Sequence, residues 1–249
     1  MTGMFHAGIS GARGRMGRAV SQVLDAREDV VVATRFDRGE TPDLTLCDVV
    51  IDFSTAEASV ELARTCAARG GPALVIGSTG FSPEQDAAIL AAAESIAIVR
   101  SGNFSLGVNI LIGLVEHAAQ RLDAADWDIE VLEAHHRKKA DAPSGTALML
   151  GEAAAAGRGS ELSALRSPPR DGVQGARKPG SIGFAAVRAG GIVGEHTVMF
   201  ASDDEVLTLS HSAIDRSLFA KGAVAAAAWV RQRKRGLYDM QDVLGFRQA

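Results

Sequence analysis

Two imidazoles and three permanent cations occupy consecutive positions in His135-His136-Arg137-Lys138-Lys139, within the longer run Glu133-Ala134-His135-His136-Arg137-Lys138-Lys139-Ala140-Asp141-Ala142-Pro143-Ser144-Gly145-Thr146. Like charges at this density repel unless an anion or solvent offsets them. The run is therefore either a pocket for an anionic ligand or a solvated basic turn. Ser144-Gly145-Thr146 reads as a helix start, with Ser144 as N-cap and free N–H groups behind it. Cations facing such a helix start suit carboxylates, and histidine suits proton transfer near neutral pH. Metal chemistry is disfavoured, because adjacent histidines on a strand point in opposite directions and no His-Glu-x-x-His or Cys pair completes a site. A Ser–His hydrolase lacks its Gly-x-Ser-x-Gly elbow. His196 and His211 fall on other strands and read as structural.

A second constellation lies near the N-terminus, in Gly8-Ile9-Ser10-Gly11-Ala12-Arg13-Gly14-Arg15-Met16-Gly17. Gly11, Gly14 and Gly17 stand where a strand must turn sharply into a helix. Lacking Cβ, they let backbone approach a pyrophosphate, and the helix start offers N–H groups to it. Arg13 or Arg15 could add charge. The Gly-x-x-Gly-x-x-Gly spacing alone also fits a plain tight turn. Asp37, about twenty residues past the last glycine, sits where an acid binds the adenosine ribose. An acid favours NAD, whereas an arginine such as Arg38 accepts the extra phosphate of NADP, so the pair predicts use of NADH or NADPH. Arg35 reads as a solvated loop residue. Two later strand ends, Gly77-Ser78-Thr79-Gly80 and Ser101-Gly102-Asn103-Phe104, either line the nicotinamide ribose and amide or cap helices.

The elements that must position these groups follow from periodicity. Strands are predicted at Phe5–Ser10, Val30–Phe36, Val49–Phe53, Ala73–Ile76 and Ile96–Val99, with helices at Arg15–Ala26, Glu57–Ala68 and Pro83–Ala93. Continuous apolar strands alternating with helices indicate βαβ units and a parallel sheet buried on both faces. After about Asn103 the pattern changes to a helix over Gly107–Leu122, a strand over Trp127–Ala134 and a short helix from about Thr146. An irregular stretch from Gly157 to Gly180 holds Ser167-Pro168-Pro169-Arg170-Asp171-Gly172 and is expected to be the mobile part of the chain. Strands at Ile182–Arg188, Glu195–Ala201 and Glu205–Ser212 follow. Gly190-Gly191 and Ser202-Asp203-Asp204 between them are short enough for consecutive hairpins. A last helix spans roughly Arg216–Arg233. The expected fold is α/β, a Rossmann-type parallel sheet plus a second α+β domain with a mixed or antiparallel sheet. Residues 1–105, rejoined by 216–249, would bind dinucleotide, and residues 106–215 would bind substrate.

The whole chain has 249 residues, 47% hydrophobic but only 5% aromatic, which predicts an aliphatic, alanine-rich core. A net charge of -4 without a basic stripe argues against nucleic-acid binding. No apolar run reaches the roughly 20 residues of a membrane span, and the N-terminus lacks signal-peptide organisation. Cys47 and Cys66 cannot make a disulfide framework, so a reducing cytoplasm is expected.

At the cationic loop the sequence resembles the 4-hydroxy-tetrahydrodipicolinate reductase family, also called dihydrodipicolinate reductases. The pattern Glu-Ala-His-His-Arg-x-Lys-x-Asp-Ala-Pro-Ser-Gly-Thr-Ala carries the resemblance. So do Gly11 to Gly17, Ile51-Asp52-Phe53, Val75 to Phe81, Asn103 to Asn109, Ile182-Gly183-Phe184 and Val187 to His196. The resemblance implies NADH- or NADPH-dependent reduction of a cyclic imine dicarboxylate in lysine and diaminopimelate biosynthesis. It implies that His135 is the general acid/base and Lys139 the proton donor that also meets a substrate carboxylate. His136, Ser144, Gly145 and Thr146 would bind substrate. The cofactor would meet Gly11, Ala12, Arg13, Gly14, Arg15, Met16, Asp37, Arg38, Gly77, Ser78, Thr79, Ser101, Gly102, Asn103 and Phe104. It further implies a homotetramer assembled through the second sheet. Because the cofactor and substrate sites fall in different domains, closure about hinges near Asn103 and Arg216 is expected. Arg13, Lys138 and Thr55 depart from residues often found in relatives, which bears on cofactor preference. Two other readings are another two-domain NAD(P) reductase of an amino-acid-derived substrate, and a nucleotide-binding redox sensor.

Overall fold

Short β-branched runs followed by alanine-rich helices build the first part of the chain, in the order β1 (Phe5–Ser10), α1 (Arg15–Asp25), β2 (Val30–Phe36), β3 (Val49–Asp52), α2 (Ala56–Arg69), β4 (Ala73–Ile76), α3 (Pro83–Ala93) and β5 (Ala97–Arg100). The structure, a computed structural model, describes residues 3–247. Alternate residues of each central strand serve two cores. Val49 and Ile51 of β3, Val75 of β4 and Val99 of β5 pack with Val20 and Leu24 of α1. Val50, Leu74, Ile76 and Ile98 pack with Val60, Ala63 and Cys66 of α2 and Ile89 of α3. Each such aliphatic side chain contributes about 1.5–3 kcal/mol by leaving water. The helices are punctuated locally. Thr55 caps α2 by accepting the Ala58 N–H, and Ser82 forms a capping box with Gln85 ahead of α3.

The chain continues with α4 (Leu106–Arg121), β6 (Asp128–His135), α5 (Gly145–Gly157), α6 (Leu162–Leu165), β7 (Ile182–Arg188), β8 (Gly194–Ala201) and β9 (Val206–Ala213). These strands form a second sheet in the order β7-β6-β8-β9. Its β7–β6 pair is parallel, and the β6–β8 and β8–β9 pairs are antiparallel. Ile129, Val131, Ile182, Val198 and Phe200 on one face pack against Val108 and Val115 of α4 and Leu150 and Ala154 of α5. The hairpin expected at Ser202-Asp203-Asp204 forms between β8 and β9. The one expected at Gly190-Gly191 does not, because β6 lies between β7 and β8. Residues after β7 go on pairing with the end of β6: the Ala189 N–H donates to His135 O at 2.9 Å and the Arg137 N–H to Gly190 O at 3.2 Å. That pairing places β6, with Ile129 and Val131 fully buried, inside the sheet and satisfies both of its edges.

The helix after Ser144 is also longer than expected, running for 13 residues. The stretch from Gly157 to Gly180 contains α6 and is tethered at both ends. Arg158 donates to Gly180 O at 2.8 Å and also to Trp127 O, while Arg177 donates to Ile129 O at 2.9 Å.

The chain then returns through α7 (Ser217–Val230), β10 (Gly236–Tyr238) and α8 (Met240–Val243). β10 extends the first sheet, which is parallel throughout in the order β10-β5-β4-β3-β1-β2. Ala223, Val224 and Ala227 of α7 complete the α1-side core. The helix comes so close to the chain after β5 that a Cβ on Gly222 would stand 1.6 Å from Phe104 O. By contact density the chain divides into two compact units, Met1–Leu106 with Ser217–Ala249, and Gly107–Arg216.

Candidate active site

In the first unit, β1 ends at Ser10 and the chain turns through Gly11, whose φ is +73°. A Cβ on Gly11 would lie 2.7 Å from Phe53 O, and one on Gly17 only 2.1 Å from Gly11 O. Both glycines are thus demanded by close packing of strand, turn and helix. Gly14 is the N-cap of α1 and makes no side-chain capping bond, so this helix start is left for another acceptor. Arg13, Gly14 and Arg15 are exposed, whereas Ala12 and Met16 are half-buried.

Asp37 follows β2 and accepts the Arg13 N–H at 3.2 Å. The Arg13 guanidinium binds Glu40 at 2.5 Å and lies 3.5 Å from Asp37. The Asp37 N–H donates to Glu40 at 2.9 Å. That backbone bond and Arg13 hold the Glu40 carboxyl below its usual range. Arg35 instead pairs with Asp25 at 2.5 Å. A cavity of about 350 Å³ opens here, lined by Ser10, Phe36, Asp37, Arg38 and Arg69 among others. A dinucleotide fits this arrangement: close backbone at Gly11 and Gly17, an uncapped helix start, and an acid beside a cavity.

The other two turns also lie at the carboxyl ends of parallel strands. Gly77 follows β4 beneath Phe53, whose ring a Cβ would meet at 2.1 Å, and Phe53 meets Phe104 edge-on at 5.8 Å. Ser78 is buried with its Oγ 2.5 Å from Ser59 Oγ, and Ser59 also donates to the fully buried Asp52. Asp52 further accepts the Ser54 hydroxyl at 2.6 Å. Sequence reasoning passed over Asp52 and Ser59. Thr79 is exposed, and Ser82, not this turn, caps α3. Ser101 Oγ donates to Asn103 O at 2.7 Å, Asn103 Oδ1 accepts the Ser105 N–H at 2.8 Å, Gly102 is exposed and Phe104 buried.

In the second unit, alternation along β6 turns Ile129, Val131, Glu133 and His135 toward the helices. Register adds the neighbours: His135 pairs with Arg188 on β7, Glu133 with His196 on β8, and His196 with His211 on β9. The result is a buried charged cluster. Glu133 binds His135 Nδ1 at 2.5 Å, receives both Arg188 amino groups at 2.7 Å, and accepts the Ser144 N–H at 3.1 Å. Burial opposes ionisation of Glu133, but Arg188, His135 and the Ser144 N–H together hold its carboxyl below the usual range. The His196 ring sits edge-on to His135 at 5.1 Å, with Nε2 3.2 Å from Ser144 Oγ. Burial, and then the neighbouring His135, push the His196 imidazole down to about 4.

Ser144 caps α5 by accepting the Ala147 N–H at 3.2 Å, and Gly145, exposed, and Thr146, half-buried, form the first turn. Lys139 is half-buried and paired with Asp141 at 2.9 Å. His136 is half-buried, its Nε2 3.4 Å from an Arg216 amino group. Arg137 and Lys138 are exposed. The structure therefore brings His135, Ser144 and the α5 start into one network. It adds Glu133, Arg188 and His196, none of which sequence reasoning assigned to the site. The same-face spacing of Glu133 and His135 was the available signal.

The family model described as dihydrodipicolinate reductase, N-terminus, matches residues 5–104, and its C-terminus counterpart matches residues 107–244. The 4-hydroxy-tetrahydrodipicolinate reductase of Caulobacter vibrioides is 63% identical over 248 residues, covering 96% of each chain. That of Chelativorans sp. is 49% identical over 263 residues, covering 96% of this chain and 95% of the relative. A dipicolinate-bound dihydrodipicolinate reductase structure from Paenisporosarcina sp. TG-14 shares the fold at a TM-score of 0.76. Its sequence identity is 23%, over 95% of this chain and 97% of that one.

Proposed function

This chain belongs to the dihydrodipicolinate reductase family, and we propose that it reduces 4-hydroxy-tetrahydrodipicolinate to tetrahydrodipicolinate for lysine and diaminopimelate biosynthesis. The observation that carries the reading is the buried Glu133–His135 pair beside the Ser144-capped start of α5. It joins a proton-transfer group to a site for a carboxylate. NADH or NADPH, when bound, supplies the hydride. The 4-hydroxyl leaves as water with a proton from the adjacent ring carbon, and a single proton then quenches the charge left on the ring, with His135 as the general acid/base of that transfer. Lys139 serves as proton donor and meets one substrate carboxylate, and His136, Ser144, Gly145 and Thr146 bind the dicarboxylate.

Residues 1–105 with 216–249 act as the dinucleotide-binding domain, and residues 106–215 bind substrate and oligomerise. Gly11 to Met16 hold the pyrophosphate, Asp37 the ribose, and the turns at Gly77 to Thr79 and Ser101 to Phe104 the nicotinamide end. Arg13, which pairs with Glu40 and Asp37, lies within that cofactor-binding turn. Arg38, exposed on the cavity wall, meets the extra phosphate of NADPH.

A homotetramer through the second sheet is supported by its face opposite the helices, where Leu132, Val187 and Val206 are 36%, 53% and 55% exposed. Light scattering on the purified protein should give the mass of four chains, and a single-chain mass contradicts it. We also place the enzyme in the cytoplasm, which keeps thiols such as the buried, unbridged Cys47 and Cys66 reduced. The activity itself is tested by following NADH absorbance with 4-hydroxy-tetrahydrodipicolinate. Loss of NADH that depends on this compound is expected, and its absence overturns the reading.

A further inference from the structure

Proton transfer at His135 needs a ring locked in one tautomer, and the proposed reaction gives no part to Glu133, whose side chain is 1% exposed. We propose that Glu133 is a positioning residue that holds His135 with its proton on Nδ1, so that Nε2 faces the substrate, and ties that ring to the start of α5. The inference rests on the reading of His135 as the proton-transfer group.

An ionised carboxylate only accepts hydrogen bonds. Glu133 Oε2 faces His135 Nδ1 at 2.5 Å and an Arg188 amino group at 2.7 Å. Oε1 faces the other Arg188 amino group at 2.7 Å and the Ser144 N–H at 3.1 Å. Every partner is therefore a donor, and His135 must donate through Nδ1. Its neutral ring then carries the lone pair on Nε2, and its protonated ring carries a transferable proton there. Gly194 borders that nitrogen: a Cβ at this position would stand 3.2 Å from Nε2. Glycine thus keeps the reacting edge uncrowded. The Ser144 N–H bond extends the same restraint to the residue that caps α5. One carboxylate therefore sets both the proton-transfer atom and the helix turn that would receive the substrate carboxylate.

Glutamine at this position cannot reproduce the pattern. An amide NH₂ in place of Oε2 donates to His135 Nδ1 and drives the ring proton to Nε2. In place of Oε1 it confronts the Ser144 N–H and Arg188. ¹⁵N NMR of histidine-labelled native protein should show neutral His135 protonated at Nδ1, and protonation at Nε2 overturns the proposal whatever the variants do. Glu133→Gln should lower kcat by about 10²–10⁴-fold with NADH affinity unchanged. In a His135→Ala background the same exchange should leave kcat unchanged while KM still rises, because the carboxylate acts on turnover only through the imidazole. Native kcat in Glu133→Gln, or an equal further loss in the His135→Ala background, sinks the proposal. A native protein that fails to oxidise NADH with this substrate counts against the function reading alone, since the tautomer is read without turnover.

Discussion

The proposed nucleotide turns and the proposed proton-transfer end of this protein are built from different materials. At Gly11, Gly17 and Gly77 the essential property is a missing side chain, since any Cβ would strike backbone or the Phe53 ring. The helix start there is uncapped, so the groups offered to a ligand are N–H groups of the backbone. At Glu133, His135, Arg188 and His196 the essential property is charge and ring orientation, fixed by strand alternation and cross-strand register. The first kind of site is encoded by spacing along a few residues. The second is encoded by which strands become neighbours. Substitutions should therefore fail differently in the two places, through sterics and cofactor affinity in one and through protonation and turnover in the other.

The largest difference should appear with pH. His196 is buried and its pKa is pushed down to about 4, so the unfolded chain takes up this proton first as pH falls. Its contribution to stability is complete above its unfolded pKa of about 6.5 and is lost as pH drops toward 4, by up to about 3 kcal/mol. Glu133 adds a loss only at still lower pH, because its folded pKa is depressed. Urea unfolding at neutral and mildly acid pH should show this loss, and His196→Asn should remove most of it. The nucleotide turns contain no histidine and contribute nothing to this window. An equal acid loss in the variant would erase that contrast.

A steric effect comes next. Gly17→Ala puts a methyl 2.1 Å from Gly11 O and should destabilise the protein by about 1–3 kcal/mol, with weaker NADH binding and unaltered His135 NMR signals. Gly102→Ala, where nothing lies within 4 Å, should leave stability within about 0.5 kcal/mol. Thermal melts of the two variants separate them, and equal melting points would remove the steric account of Gly17. Smallest is cofactor discrimination. Asp37→Ala should weaken NADH about 10-fold through loss of a charged hydrogen bond, and NADPH less, in titration calorimetry. Equal losses would show that Asp37 does not read the ribose.

Legibility followed the same division. The βαβ elements and the glycine turn could be read directly because each depends on residues close in sequence. The crossing from β7 to β8 was not legible: Gly190-Gly191 fits a hairpin as well as a step over one strand, and the choice was made by pairing of residues 189–190 with the distant end of β6. β10, at three residues, is too short to show a period. The length of α5 was obscured because its sequence is apolar nearly all round, as a buried helix is. In the second unit His135, Ser144 and the helix start were readable from one segment. Arg188 stands 55 positions from Glu133, and His196 stands 52 from Ser144, separations that only the sheet register closes.

The most direct measurement is turnover and NADH affinity of His135→Ala, compared side by side with the native enzyme. The division of labour described here predicts that kcat falls by about 10²–10⁴-fold while the dissociation constant for NADH stays at its native value. Turnover close to native in that variant would contradict it.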